Sequence, residues 1–379
     1  MYYIPLTQVC DFQGGSQPPK EQWIDHAEDG YIRMLQIRDF TQPDKDNIEY
    51  VRITKTVKTC NEDDILIGRY GASVGKILTG LSGAYNVAII KTIPDESKLT
   101  KRFLYHYLNS PYFQSFIISV GSRAAQAGFN KEDLSDAHIP QLSLMEQEHA
   151  ATQLDKIVYL ISLRKQQLAK LDELVKSRFI ELFGDPVKNN MGWESKPLND
   201  VCDGIGDGLH GTPEYDEGGE YPFINGNNLL DGEIIITPAT KMVAAKTFEK
   251  HFIDISTNAI LISINGTLGK LAFYNGEKVM LGKSACYCNL KQDINKVFVY
   301  GVMKSDAFAE FLENSSTKST IKNVGLKAMR EFRLILPPME LQEQFAAFVE
   351  QVDKSKFEIQ KSLEKLETLK KALMQKYFG

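Results

Sequence analysis

Apolar positions along the chain fall into two patterns, and each pattern occurs twice. The first is a narrow stripe at 3-4 spacing. Between Ser143 and Gly184, Leu154, Ile161, Leu168, Val175 and Leu182 share one seven-residue position, and Ile157 and Leu171 share a second, interrupted by Arg164 and Arg178. Between Met339 and Gly379, Phe345, Val352, Ile359, Leu366 and Leu373 repeat at seven, and Phe348 and Leu369 are assigned to the partner position. Such a stripe is a coiled-coil seam, narrower than the face of a helix lying on a globular core. At about 1.5 Å per residue each helix would be about 60 Å long. Neither can bury its stripe alone, so the two are expected to pair antiparallel. Polar positions align as well: Glu146-Gln147 with Glu343-Gln344, Asp155-Lys156 with Asp353-Lys354, and Phe183-Gly184 with Phe378-Gly379. On that alignment the second helix is slightly the shorter, which would make the register uneven.

The second pattern is β-rich and Gly-punctuated. Pro5–Asp11 matches Pro197–Asp203, and a Gly/Pro loop follows each, at Gly14–Lys20 and Gly204–Tyr215. Loops so dense in Gly and Pro cannot be regular elements. Strand-like segments come next at Tyr31–Phe40 and Tyr221–Leu230, then a strand–loop–strand unit, DILIGRYGASVGKILTG from Asp64 and AILISINGTLGKLAFYNG from Ala259. One short amphipathic helix is expected from Lys101 and its counterpart from Lys296. A polar loop and a terminal strand close each copy, Asp136–Leu142 and Glu331–Pro338. A period of about 195 residues is far longer than any solenoid repeat, so a whole domain is duplicated. The expected fold class is α+β: globular domains at 1–142 and 185–338, and coiled-coil helices at 143–184 and 339–379, with a pseudo-twofold internal repeat.

Catalytic equipment is missing from these motifs. GRYGASVGK falls short of a phosphate loop, because Tyr70 stands at the first glycine and Ile77 at the magnesium-binding hydroxyl. Ile264 and Leu271 spoil the second copy in the same way. A tight glycine turn is the reading for both. No G-x-G opens a nucleotide-binding unit, and the six histidines form no H-E-x-x-H pair. Five scattered cysteines, only Cys286 and Cys288 close together, suit a reducing cytoplasm and supply no zinc site. No apolar run is long enough to span a membrane, and the first residues lack a signal-peptide pattern.

The order of these parts resembles the specificity subunit of type I restriction-modification systems, along essentially the whole chain. Phrases at the helix borders carry the resemblance, IPQLSLMEQE, LPPMELQEQ and SRFIELFGDP, together with DGLHGTPEY and GRYGASVGK. The resemblance implies a non-catalytic, cytoplasmic chain whose two target-recognition domains each read one half of a split, asymmetric double-stranded DNA sequence. The helices would act as a ruler between them. It implies two methyltransferase subunits and motor-nuclease subunits as partners. S-adenosylmethionine, ATP and Mg would belong to those partners, and this chain would hold no cofactor or metal. Two alternatives stand beside it: the specificity polypeptide of a related bifunctional restriction-modification enzyme, and a coiled-coil protein-interaction scaffold.

Charge narrows where DNA could be met. The net charge is -5, and neither recognition domain is basic overall, so any positive face must be local. Polar loops supply the candidates: Arg69, Tyr70, Ser73 and Lys76; Arg123 and Gln126; Asn265 and Lys270; Lys318 and Lys322. Arg, Gln and Asn are the side chains that read guanine and adenine edges. His210, beside Thr212, is either a base-edge contact or a plain turn histidine.

Overall fold

The structure, a computed structural model, describes residues 2–42, 47–121 and 128–379. It forms two compact units, Met1–Lys165 with Lys361–Gly379, and Gln166–Gln360. Each unit combines a mixed α+β globular part with one half of each long helix.

The long helices run from Leu144 to Phe183 and from Met339 to Phe378, 40 residues apiece. The expectation of a shorter second helix is therefore wrong. Neither span contains Gly or Pro, and their ends carry the stop and start signals. Ser143 and Glu146 form a capping box, with Glu146 N–H donating to Ser143 Oγ at 3.3 Å and Ser143 N–H to the Glu146 carboxylate at 2.8 Å. Gly184, at φ +75°, closes the first helix.

Two buried glutamines fix how the copies align. Gln147 accepts from Thr100 N–H at 2.9 Å and donates to the carbonyls of Lys98 and Leu142. Gln342 accepts from Asn295 N–H at 3.0 Å and donates to the Pro337 carbonyl. Gln147 thus answers Gln342, and the same offset carries Leu144 to Met339 and Phe183 to Phe378. The alignments of Glu146-Gln147 with Glu343-Gln344 and of Asp155 with Asp353 are corrected; Asp155 answers Glu350.

The corrected register also moves the second helix's seam. From any seam column the other lies three residues on in one case and four in the other. The Phe345 column takes the four-residue step, to Val349, Lys356, Leu363, Lys370 and Tyr377. Leu363 is buried, whereas Leu369 is 48% exposed and off the seam. Lysines at two of the five positions hid this column from a search for apolar repeats. Their stems can lie along apolar surface while the ammonium stays outside, and Lys356 Nζ meets Asp172 at 2.6 Å. Among the other seam residues Leu154, Ile161 and Val352 are buried, and Leu168, Leu171, Val175, Leu182, Ile359, Leu366 and Leu373 are half-buried. Within each unit the helix halves run antiparallel. Tyr377 Oη donates to Gln153 and Lys165 faces Glu367 in the first unit; Asp172 pairs with Lys356 and Phe179 packs on Phe345 in the second.

Both globular parts share one topology. A four-stranded antiparallel sheet has the order Cys10–Gly14, Ile89–Pro94, Leu66–Gly68, Ile77–Leu78 in the first unit, and Cys202–Asp207, Ala285–Leu290, Ala259–Ser263, Leu271–Tyr274 in the second. A further sheet in each contains one parallel pair, Tyr31–Leu35 with Gly83–Tyr85 and Tyr221–Ile224 with Met280–Leu281. The segment read as a strand to Phe40 stops at Leu35, and the one read to Leu230 breaks after Ile224 and resumes only at Leu229–Leu230. At Gln36 and Asn225 the chain turns into short helical pieces closed by capping boxes with Asp39 and Asn228. The expected single amphipathic helix is two in each copy, Lys101–Leu108 and Pro111–Gly121, and Lys296–Met303 and Asp306–Ser315. These helices press the sheet's apolar face against the ends of the long helices. Phe103 meets Phe378 at 5.0 Å in the first unit, and Phe298 meets Phe183 at 4.8 Å in the second. The five cysteines are free and buried.

Candidate nucleic-acid interface

In each unit the glycine-rich hairpin of the four-stranded sheet is pinned at its tip by the polar loop that precedes the terminal strand. In the first unit the strands Leu66–Gly68 and Ile77–Leu78 pair, and the turn between them is closed by Gly75 N–H donating to Gly68 O at 3.0 Å. Gly75 has φ +79°, and a Cβ there would come within 2.7 Å of Ile117. Glycine is thus required for the turn itself. Gly269, at φ +76°, does the same in the second unit, where its N–H donates to Ser263 O.

The pinning contact is an isolated antiparallel bridge, Tyr70 with Gly128 in the first unit and Asn265 with Asn323 in the second. These pairs obey the same offset as the helices, so the two bridges are copies. Around the first, Arg69 N–H donates to Ala88 O at 2.8 Å and Arg69 Nε–H to Phe129 O at 2.7 Å, and the guanidinium sits 5.0 Å from the centre of the Tyr70 ring. Tyr70 is 43% exposed. Ser73 forms the turn with its backbone, and Lys76 points to solvent. Arg123 and Gln126 lie outside the described residues. Next to the bridge Lys131 pairs with Asp11, and its hydrogen bond holds that carboxyl below the usual range.

Around the second bridge Asn265 Nδ2 donates to Asn323 Oδ1 at 3.2 Å, and Gly266 N–H to Lys322 O at 2.9 Å. Lys322 Nζ reaches both oxygens of Glu313 at 2.6 Å, so its charge is already matched. Lys318 is exposed on the same loop, and Lys270 is half-buried where its N–H donates to Ser263 Oγ. A groove of about 460 Å³ runs beside this loop, lined by Thr267, Lys304, Asp306, Glu313 and Lys322 among others. His210 and Thr212 belong to a separate loop, held by a parallel bridge from Leu209 to Gly282. His210 Nε2 lies 2.8 Å from the Asp207 carboxylate, which gives this imidazole a local partner within its own turn.

The structure therefore gathers Arg69 and Tyr70 against one polar loop and Asn265 against Lys318 and Lys322 on the other, leaving His210 and Thr212 apart. It adds Asn323 to the candidates. Sequence alone offered a signal for that residue, since it ends the same polar run, SSTKSTIKN, that supplied the two lysines.

No helix among the described residues is long and apolar enough to cross a membrane. The family model for the "Type I restriction modification DNA specificity domain" matches residues 2–173 and again residues 190–371. The type I restriction enzyme EcoBI specificity subunit of Escherichia coli is 20% identical over 348 residues, covering 83% of this chain and 73% of that one. The MjaVIII specificity subunit of Methanocaldococcus jannaschii is 21% identical over 372 residues, 93% of this chain and 86% of that protein. Among solved structures, the type I restriction-modification S subunit from M. genitalium superposes with a TM-score of 0.60 at 15% identity, covering 100% of this chain and 96% of that one. A chain from a structure titled for complex assembly and conformational transition of the type I R-M system gives 0.58 at 17% identity, covering 100% and 97%.

Proposed function

Because the chain belongs to the type I restriction-modification DNA specificity family, we propose that it is the addressing subunit of such a complex. Each unit reads one half of a split DNA target, and the chain itself performs no catalysis. Methyltransferase subunits bring S-adenosylmethionine and modify adenine, and motor-nuclease subunits bring ATP and Mg to cut unmodified DNA. The observation that carries the reading is a single offset that recurs at separate places in the two copies. It relates the buried glutamines, the helix ends and the two pinned hairpins, so each unit presents a complete and equivalent loop edge. Unequal side chains on equivalent edges, Arg69-Tyr70 against Ile264-Asn265, are what two readers of different half-sites need.

Exchange of residues 1–142 for the first domain of another family member tests this. With methyltransferase subunits present, the methylated motif is expected to change in one half and stay intact in the other. A change in both halves, or in neither, rejects two independent readers.

A further inference from the structure

Arg69 differs from Arg33, Arg38 and Arg102, three other arginines of its unit. Arg33 pairs with Asp39, Arg38 with Glu49, and Arg102 with Asp155 and Glu148. Among the described residues no carboxylate pairs with Arg69. It is half-buried, and a cation withdrawn from water without a counter-charge costs stability unless a ligand completes its contacts. What the fold provides is orientation. The Phe129 carbonyl takes Nε–H at 2.7 Å, and the Tyr70 ring lies 5.0 Å from the guanidinium carbon. Nε is spent, and among the described residues nothing else takes the side chain's N–H groups, so the two terminal nitrogens form a fork of parallel donors. That fork is the complement of guanine O6 and N7 in the major groove. With the side chain already held, little rotamer freedom is lost when the fork engages, which favours discrimination over mere attraction.

The second unit lacks the feature. At the matched position Ile264 is buried in the core, while its N–H keeps the equivalent bond, to Ser284 O at 3.0 Å. Backbone is therefore shared and only the side chain differs, as expected of a residue that distinguishes two readers.

We propose that Arg69 reads a guanine, hence one G·C pair, in the half-site addressed by the first unit, with Tyr70 and Phe129 as its positioning residues. This rests on the DNA-addressing role proposed above.

The test uses the full complex of this chain with its methyltransferase subunits. Binding is measured on duplexes carrying each base pair at each position of that half-site, at several salt concentrations. The wild-type half-site is expected to contain a required G·C pair. Arg69→Gln should reduce discrimination at that position by roughly 5- to 150-fold and leave the other half-site unchanged. Arg69→Lys, which keeps charge and stem but has no fork, should recover overall affinity without recovering discrimination, and it decides the matter if the glutamine variant folds poorly. A half-site without a required G·C pair would overturn the proposal. So would uniform weakening over all sequences with a salt slope smaller by about 1, the signature of a phosphate contact. If the wild-type complex itself shows no split motif, the addressing role fails first, and the two failures are thereby told apart.

Discussion

His106 stands on the helix Lys101–Leu108 of the first unit, and at the matched place in the second unit, on Lys296–Met303, stands Gly301. His106 is 2% exposed and its Nε2 lies 2.7 Å from Asp155 on the long helix, where Arg102 also binds that carboxylate at 2.5 Å. Gly301 has no room for a side chain, since a Cβ would fall 2.8 Å from the Phe179 ring and 3.3 Å from Phe345. Those two rings answer Met374 and Ala150 of the first unit. One copy fills the space from the short helix with an imidazole, and the other fills it from the long helices with benzyl groups. Duplication has kept the backbone, and the side chains have been traded across the packing surface. Interiors this dense tolerate such a trade only when both sides change together.

The largest expected effect follows from undoing half of that trade. Gly301→His should cost about 3 kcal/mol or more, because an imidazole is forced against Phe179 and Phe345, where a Cβ alone already falls too close. Adding Phe345→Ala, the first unit's residue, should return part of the loss. Thermal or urea unfolding of the two variants checks this. A single variant as stable as the wild type would mean that the surrounding rings are not fixed in place.

A smaller effect is expected where the copies agree. Gln147→Ala and Gln342→Ala each remove a buried amide that serves a short helix and the chain entering a long helix. Each should lose about 2 kcal/mol, leaving a buried N–H and at least one carbonyl unpaired. Equal losses in urea unfolding support the shared register. A clear inequality would show that one of the two glutamines is not the equivalent of the other.

These two glutamines also explain which parts of the molecule could be read in advance. Domain duplication, the terminal strand that closes each copy and the antiparallel helices were all legible, because apolar periodicity and glycine turns survive divergence. The helix register was not. Glu-Gln and Asp-Lys pairs recur on exposed helix faces for solubility, so they align at more than one offset. The decisive residue, Gln342, looks in sequence like any other glutamine, and only its hydrogen bonds set it apart. Leu369 was misplaced for a related reason: lysines at 356 and 370 concealed the true seam column. Helix breaks before Pro111 and Asp306 were missed because apolar spacing continues across the turn. Of the candidate interface, the loops were legible from their glycines and polar runs. The partners within them were not, as the bridges Tyr70–Gly128 and Asn265–Asn323 join residues far apart in sequence.

The last prediction turns the His106–Gly301 difference into a pH measurement. Burial pushes the His106 pKa below its ordinary value, and the opposing pull of Asp155 does not restore it; Lys370 of the second long helix and Arg102 add to the lowering. Burial also pushes the Asp155 carboxyl up, but hydrogen bonds from Arg102 and His106 together bring it below its usual range. The unfolded histidine titrates near pH 6.5. Above that pH the imidazole is neutral in both states and the contribution of this site is complete. As the pH falls through about 6.5, the unfolded chain takes up a proton that the folded chain resists, so stability declines. Asp155 holds its own contribution until far more acid conditions. His106→Gln removes the titrating group, and the second unit has none at Gly301. Melting curves from pH 8 to pH 5 should therefore show the wild type losing more stability than the variant, with the gap opening below pH 6.5. Taking the difference cancels the remaining histidines, including His26, whose pKa its bond to Asp25 moves the other way. Parallel curves for the two proteins would mean that His106 keeps its ordinary proton affinity despite burial, and the contrast between the units would then be one of shape alone.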